Sequence, residues 1–164
     1  MPNSQSPASP IRKTDDEARA LARKLLDEAR IGALATRHPE TGFPHATRIL
    51  LADIAGTGPV TLISTLAQHT RALVADPRCA VMIGEAPAKG DPMAFARMTI
   101  SARAEFLDRD ETVSDAFQKR HPKARLYAGF ADFSFVALRP EGAELNGGFG
   151  RAYRLTPADL QPKK

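Results

Sequence analysis

The sequence predicts a mainly β fold: an antiparallel barrel, closed or partly closed, with helices at its periphery. Three observations lead there. Short β-prone stretches, roughly six or seven of them, recur along the chain with few helical stretches between. No repeating strand–helix–strand pattern of the kind that builds a doubly wound parallel sheet is present. Residues 97–106 alternate strictly, Met98, Ile100, Ala102, Ala104 and Phe106 against Arg97, Thr99, Ser101, Arg103 and Glu105, which marks a strand with one face in a core and the other in water.

The elements follow in order. Residues 1–13 read as a flexible N-terminal arm, because MPNSQSPASP is rich in Ser and Pro and lacks the apolar stretch and early basic cluster of a signal peptide. Thr14 followed by Glu17 resembles a capping box, and Ala18, Leu21, Ala22, Leu25, Leu26 and Ala29 recur at helical spacing, so a first helix is expected over 15–30. IGALATR, PHATRILLADI and VTLIST then form a meander of strands, separated by the turn-prone HPETGF and AGTG. HTRALVAD reads as a short helix closed by Asp76 and Pro77, since proline disfavours a helical residue before it. RCAVMIG resumes as a strand. Residues 110–121 and about 123–132 read as helical, and SFVALRPEGAEL and GRAYRL supply the last two strands. One domain over 14–156, with a tail at 157–164, suits a chain of 164 residues, which is long enough for a true core and short for two.

Composition narrows the function. Hydrophobic residues at 43% and charged residues at 26% describe a soluble globular chain, and no apolar run approaches membrane-spanning length. The single Cys79 cannot form an internal disulfide, so a reducing cytoplasm is expected; in the apolar RCAVMI it reads as a buried small residue. Of the net charge of +4, two units belong to Arg12 and Lys13 and one to the 157–164 tail, which leaves +1 for residues 14–156. A nearly neutral body lacks the basic stripe that phosphate-backbone binding needs, so nucleic acid is not an expected partner.

Familiar catalytic signatures are absent: no GxSxG, no Walker-type loop, no HExxH and no CxxC. His38, His45, His69 and His121 lack regular ligand spacing, so no protein-only metal site is expected. What remains is residues 64–71, STLAQHTR, between a strand and the start of a helix. Free backbone N–H groups there, joined by Ser64, His69, Thr70 and Arg71, favour a phosphate dianion, and Arg48 on the preceding strand could add a bidentate contact. The same residues also suit a plain helix cap, a solvated Arg71 and a surface His69.

GALAT, PHATRILLAD, LISTLAQHTRALVADPRCAVMIGE, KGDPMAFARMTISARAEFL, HPKARLYAGFADF and LNGGFGRAYRL together resemble, in order, the FMN-binding split-barrel superfamily of pyridoxamine 5′-phosphate oxidase, and within it the haem-utilisation HugZ-type branch. The likeness covers about residues 15–155. It implies a homodimer of antiparallel Greek-key split barrels with an FMN in each of two clefts between subunits. Carried over by position, the flavin phosphate falls to Arg48, Ser64, Gln68, His69 and Thr70, while Arg97 and Thr99 approach the ring from the neighbouring subunit, and Arg151 joins the cofactor-binding candidates.

Departures from that pattern matter. The oxidase has arginine three residues before its Leu-Leu pair and lysine just after; Arg48 stands two before Leu50, and Ala52 follows Leu51. The missing lysine and Tyr153, which stands for the oxidase's histidine, remove substrate-phosphate contacts, so pyridoxamine phosphate oxidation is not expected; Leu145 and Leu155 replace a flavin-side tryptophan and an arginine, so weaker FMN binding than in the oxidase is expected. The leading expectation is an FMN-dependent oxidoreductase of unknown substrate, with the redox chemistry residing in the flavin and no catalytic acid or base identified. The alternatives are a haem-binding or haem-degrading protein on the same scaffold, and a non-catalytic dimer with a degenerate cleft. No histidine follows His121 to serve haem from the C-terminal end.

Overall fold

A computed structural model describes residues 10–162; most of the expected arm and the last two residues of the tail lie outside this range. The elements are β1 (Ile11–Arg12), α1 (Asp16–Glu28), β2 (Ile31–Arg37), β3 (Pro44–Leu50), β4 (Ala52–Ile54), β5 (Gly58–Ser64), α2 (Gln68–Ala75), β6 (Arg78–Ile83), β7 (Arg97–Phe106), α3 (Glu111–Arg120), β8 (Phe133–Asn146) and β9 (Ala152–Leu155), with short 3-10 turns at Pro92–Ala94, Pro122–Leu126 and Pro157–Leu160.

The nine strands form one mixed sheet ordered β1-β9-β8-β7-β6-β2-β3, with β5 added to β8 and β4 to β5. All pairings are antiparallel except β1 with β9. The ring is not closed by hydrogen bonds. After β3 the chain passes through Leu51, whose N–H donates to Arg30 O, and re-enters as β4 against β5, so PHATRILLADI is two strands rather than one. The fold is that of a split barrel.

Strand β8 makes this possible. Its start, Phe133–Ala137, pairs with β5 and its end, Ala143–Asn146, with β9, while β7 runs along its other edge from Val136 to Asn146. The register slips between Ser101 and Ala102, where Gly142 and Pro140 are the partners and Glu141 is left over. A proline inside a paired strand forfeits a ladder bond and is tolerated at such a bulge. The bend splits the interior in two. Inside the barrel Leu34, Ile49, Leu73, Val81, Ile100 and Leu138 meet the Ala18–Ala22–Leu26 stripe of α1. Under α3 a second core gathers Ile54, Val60, Leu62, Val113, Phe117 and Phe135.

Several expectations are corrected. The cap of α1 is Asp15, whose carboxylate accepts from Ala18 N–H; the Thr14 hydroxyl donates to Arg154 O. The helix expected over 123–132 is a 3-10 turn followed by tight turns, because Pro122 fits the first turn and Gly129 weakens any continuation. Phe106 ends β7 at 41% exposure, outside the core that the alternation predicts for it. Ile11 and Arg12 pair with Ala152 and Tyr153, tying the expected loose arm to the sheet. In the tail Leu160 is buried and Asp159 holds Arg19 at 2.7 Å.

Candidate functional site

The sequence-predicted residues fall into three places. The first is the junction of β5 and α2. Ala67, which starts α2, offers no side-chain cap, so the first-turn N–H groups depend on other partners. Here the junction satisfies much of itself. Ser64 Oγ donates to Asp132 Oδ2 at 2.7 Å and accepts from Leu66 N–H; Thr70, 3% exposed, donates to Ser64 O at 2.6 Å; Gln68 Oε1 accepts from Arg71. Two hydroxyls expected to face a phosphate are thus engaged within the chain, and a carboxylate sits beside one of them.

His69 is different. Its Nδ1 lies 3.1 Å from Thr47 Oγ1, and its Nε2 is buried with no partner. Burial, then the neighbouring His45, push its pKa below the usual value. Thr47, which no reading of the sequence singled out, is the β3 residue that meets α2. It stands three before Leu50, where the oxidase pattern has arginine. Since side chains alternate along a strand, Arg48 faces the other way.

Arg48 therefore shares the outer sheet face with the second group. Cross-strand pairing sets Arg48, Ala33, Met82, Thr99, Glu144 and Arg154 in one row. Beside it run Arg97, Asn146, Ala152 and Ile11. A recess of about 270 Å³ lies there, lined by Ile11, Met82, Arg97, Thr99, Asn146 and Arg154 among others. Arg97 is positioned from below by donating to Met93 O and Phe95 O at 3.3 and 3.4 Å. Arg154 and Glu144 approach to 3.9 Å at the exposed edge. The remaining outer face is small and apolar, with Ala35 and Ala46 exposed and Ala33 and Ala80 half-buried.

Arg151 stands apart, 3.8 Å from Glu17 on α1 and bonded to Tyr153. Leu145 and Leu155, at the positions of the oxidase's tryptophan and arginine, are 1% and 2% exposed and fill the barrel interior. The site thus has an inner junction centred on His69 and Thr47, and an outer recess centred on Met82, Thr99 and Arg97.

The family model described as pyridoxamine 5′-phosphate oxidase matches residues 18–147, and the chain belongs to that family. The non-canonical heme oxygenase HOZ of Arabidopsis thaliana chloroplasts is 29% identical over 134 residues, 80% of this chain and 40% of the relative. A heme binding protein from Mycobacterium smegmatis is 31% identical, with a TM-score of 0.79 over 92% of this chain and 61% of that one. HutZ, the heme storage protein of Vibrio cholerae, shares the fold at 22% identity and a TM-score of 0.63, covering 80% of this chain and 94% of its own. The chain thus spans about two fifths and three fifths of the first two relatives. These three relatives are described as a heme oxygenase, a heme binding protein and a heme storage protein. No helix among the described residues is long and apolar enough to cross a membrane.

Proposed function

We propose that the chain handles haem, binding the tetrapyrrole on the outer sheet face where two copies meet. The observation that carries this reading is the recess itself: exposed Met82 and Ile11 beside Arg97 and the Arg154–Glu144 pair, next to the small side chains of Ala33, Ala35, Ala46 and Ala80. Haem is a flat apolar ring bearing two propionates, and such a ligand wants apolar contact with cations at the edge. The likeness to a heme binding protein over most of the chain supports the same choice. The residues fit the ring and its carboxylates, and Met82 brings a thioether, a ligand type that haem iron accepts. When bound, haem would supply the iron chemistry; the protein's share is to hold the propionates through Arg97 and Arg154 and to keep water from the ring. A stripe of exposed Ala35 and Ala46 with half-buried Ala33 and Ala80 is poor surface for a lone subunit, and a second copy laid across it completes the recess.

FMN is the second reading, favoured by the uncapped start of α2 and the unpartnered His69 beside it. It stands behind haem because Asp132 repels a phosphate at Ser64. An FMN-dependent oxidoreductase would draw its redox chemistry from the flavin.

Haem titration of the purified protein tests the choice. A Soret band that saturates at one haem per subunit, and that weakens at least tenfold in Kd in Arg97→Glu, is the expected result. A yellow protein whose flavin spectrum persists, with no Soret change on titration, would overturn haem in favour of FMN. A dimer that takes up neither would leave the non-catalytic scaffold.

A further inference from the structure

Beneath α2, between β2 and β3, three polar atoms are buried without a partner: Thr36 Oγ1, His45 Nδ1 and His69 Nε2. Thr36 and His45 are cross-strand partners, and Thr47, two residues along β3 from His45, meets His69 Nδ1. The three therefore share the inner wall on which α2 rests. We infer that His69 is a proton-binding latch: with its imidazole neutral α2 is docked on β3, and its protonation in this pocket releases α2 and with it the β5–α2 junction.

The physical argument is one of charge without a counter-ion. Among the described residues no carboxylate is bonded to His69: Asp76, at the far end of α2, is held by Arg37 and Arg78, and Asp132 is turned to the Ser64 hydroxyl. Burial, and after it the neighbouring His45 ring, disfavours a positive charge on His69. His69 is also the second residue of α2, where the aligned peptide dipoles oppose a positive charge. An imidazolium buried under these conditions is relieved by exposure to water.

Thr47 Oγ1 meets His69 Nδ1 at 3.1 Å, and its hydroxyl can donate or accept there. In either tautomer the protonated ring carries an N–H at Nε2, which is buried with no acceptor. Nothing in this depends on whether haem or FMN binds, so the latch and the proposed function fail or stand separately.

Hydrogen exchange of the full chain, followed by mass spectrometry from pH 7.5 to 5 and corrected for intrinsic exchange, reads the latch directly. In the parent, protection of residues 68–75 is expected to be lost as pH falls below the usual histidine value of 6.5, while β7 stays protected. In His69→Gln, which keeps an amide beside Thr47 but cannot take the proton, protection of 68–75 should not vary with pH. Loss of protection in α2 only in step with β7, an identical pH response in His69→Gln, or no response in the parent would each overturn the proposal. Should His69→Gln fold poorly, NMR titration of the parent histidines decides: His69 protonating below 6.5 together with α2 amide shifts sustains the latch, and protonation at or above 6.5 ends it.

Discussion

Gly84 closes β6 at φ +96, and a Cβ built there lies 2.5 Å from Ala96 O and 2.8 Å from Arg97 Cα. Both atoms are backbone, so neither can swing aside. Two costs follow for Gly84→Ala. The backbone conformation is one that side chains resist, at about 1–3 kcal/mol. The forced contact adds a further overpacking cost of about 1–3 kcal/mol. Together they give about 4 kcal/mol, which for a domain of this size is a fall of roughly 8–16 °C in Tm. Gly56→Ala is the matched control: φ is +78 but nothing lies within 4 Å, so conformational strain of about 1–2 kcal/mol stands alone. Urea unfolding of both variants measures the difference, which isolates the close approach of two chain segments. Because Arg97 Cα is one of the atoms met, Gly84→Ala should also weaken the haem binding proposed for the Arg97 recess at temperatures where it is folded. If the two variants lose stability within about 0.5 kcal/mol of each other, the close packing of the β6–β7 connection on Arg97 is not what demands glycine.

Two more outcomes follow from buried groups. His121, 9% exposed and stacked on Phe117, bonds Leu51 O through Nε2, yet burial and the flanking Arg30 and Arg120 keep its pKa below 6.5. The unfolded chain binds this proton more readily, so stability is complete above 6.5 and falls as pH drops through the folded value; His121→Gln should flatten that acid limb in urea midpoints taken from pH 7.5 to 5, and an unchanged limb would refute the assignment. Burial also pushes the Cys79 thiol up to about 11, so a thiolate-directed reagent at pH 8 should leave the native chain unlabelled and react only after denaturation; prompt native labelling would contradict it.

The strands were legible where one residue in two is apolar, as in β7, because alternation is a local property. The path around the barrel was not. It depends on β8 serving two partners, which the sequence signals only through Pro140 and Gly142 inside an otherwise strand-like run. The helix expected over 123–132 failed for a related reason: its apolar residues serve the second core and the Tyr127–Phe133 contact from turns, with no continuous helical face. In the site, Gln68, His69 and Thr70 were placed at a strand-to-helix junction, and they are there. The commitment of Ser64 to Asp132 spans 68 residues and of Thr47 to His69 spans 22. Neither partner could be read from spacing. The capping box at Thr14 shows the opposite hazard, since a local pattern was present and Asp15, one residue on, took the role.

The period of two in a strand carries a consequence for ligand choice. In the oxidase pattern the arginine stands where this chain has Thr47, on the side of β3 that meets α2; here the guanidinium is one residue later, on the outer face with Met82 and Thr99. That shift moves a positive charge from the inner junction to the outer sheet. The junction it leaves already holds Asp132 beside Ser64, and Leu155 has removed the oxidase's other arginine into the apolar interior. The face it joins has Arg97 and Arg154 near exposed apolar side chains. A dianionic phosphate needs concentrated charge at one point, whereas two carboxylates on a wide ring need cations spread around an apolar surface. The redistribution weakens the first requirement and meets the second, which supports the tetrapyrrole proposed here over a flavin nucleotide.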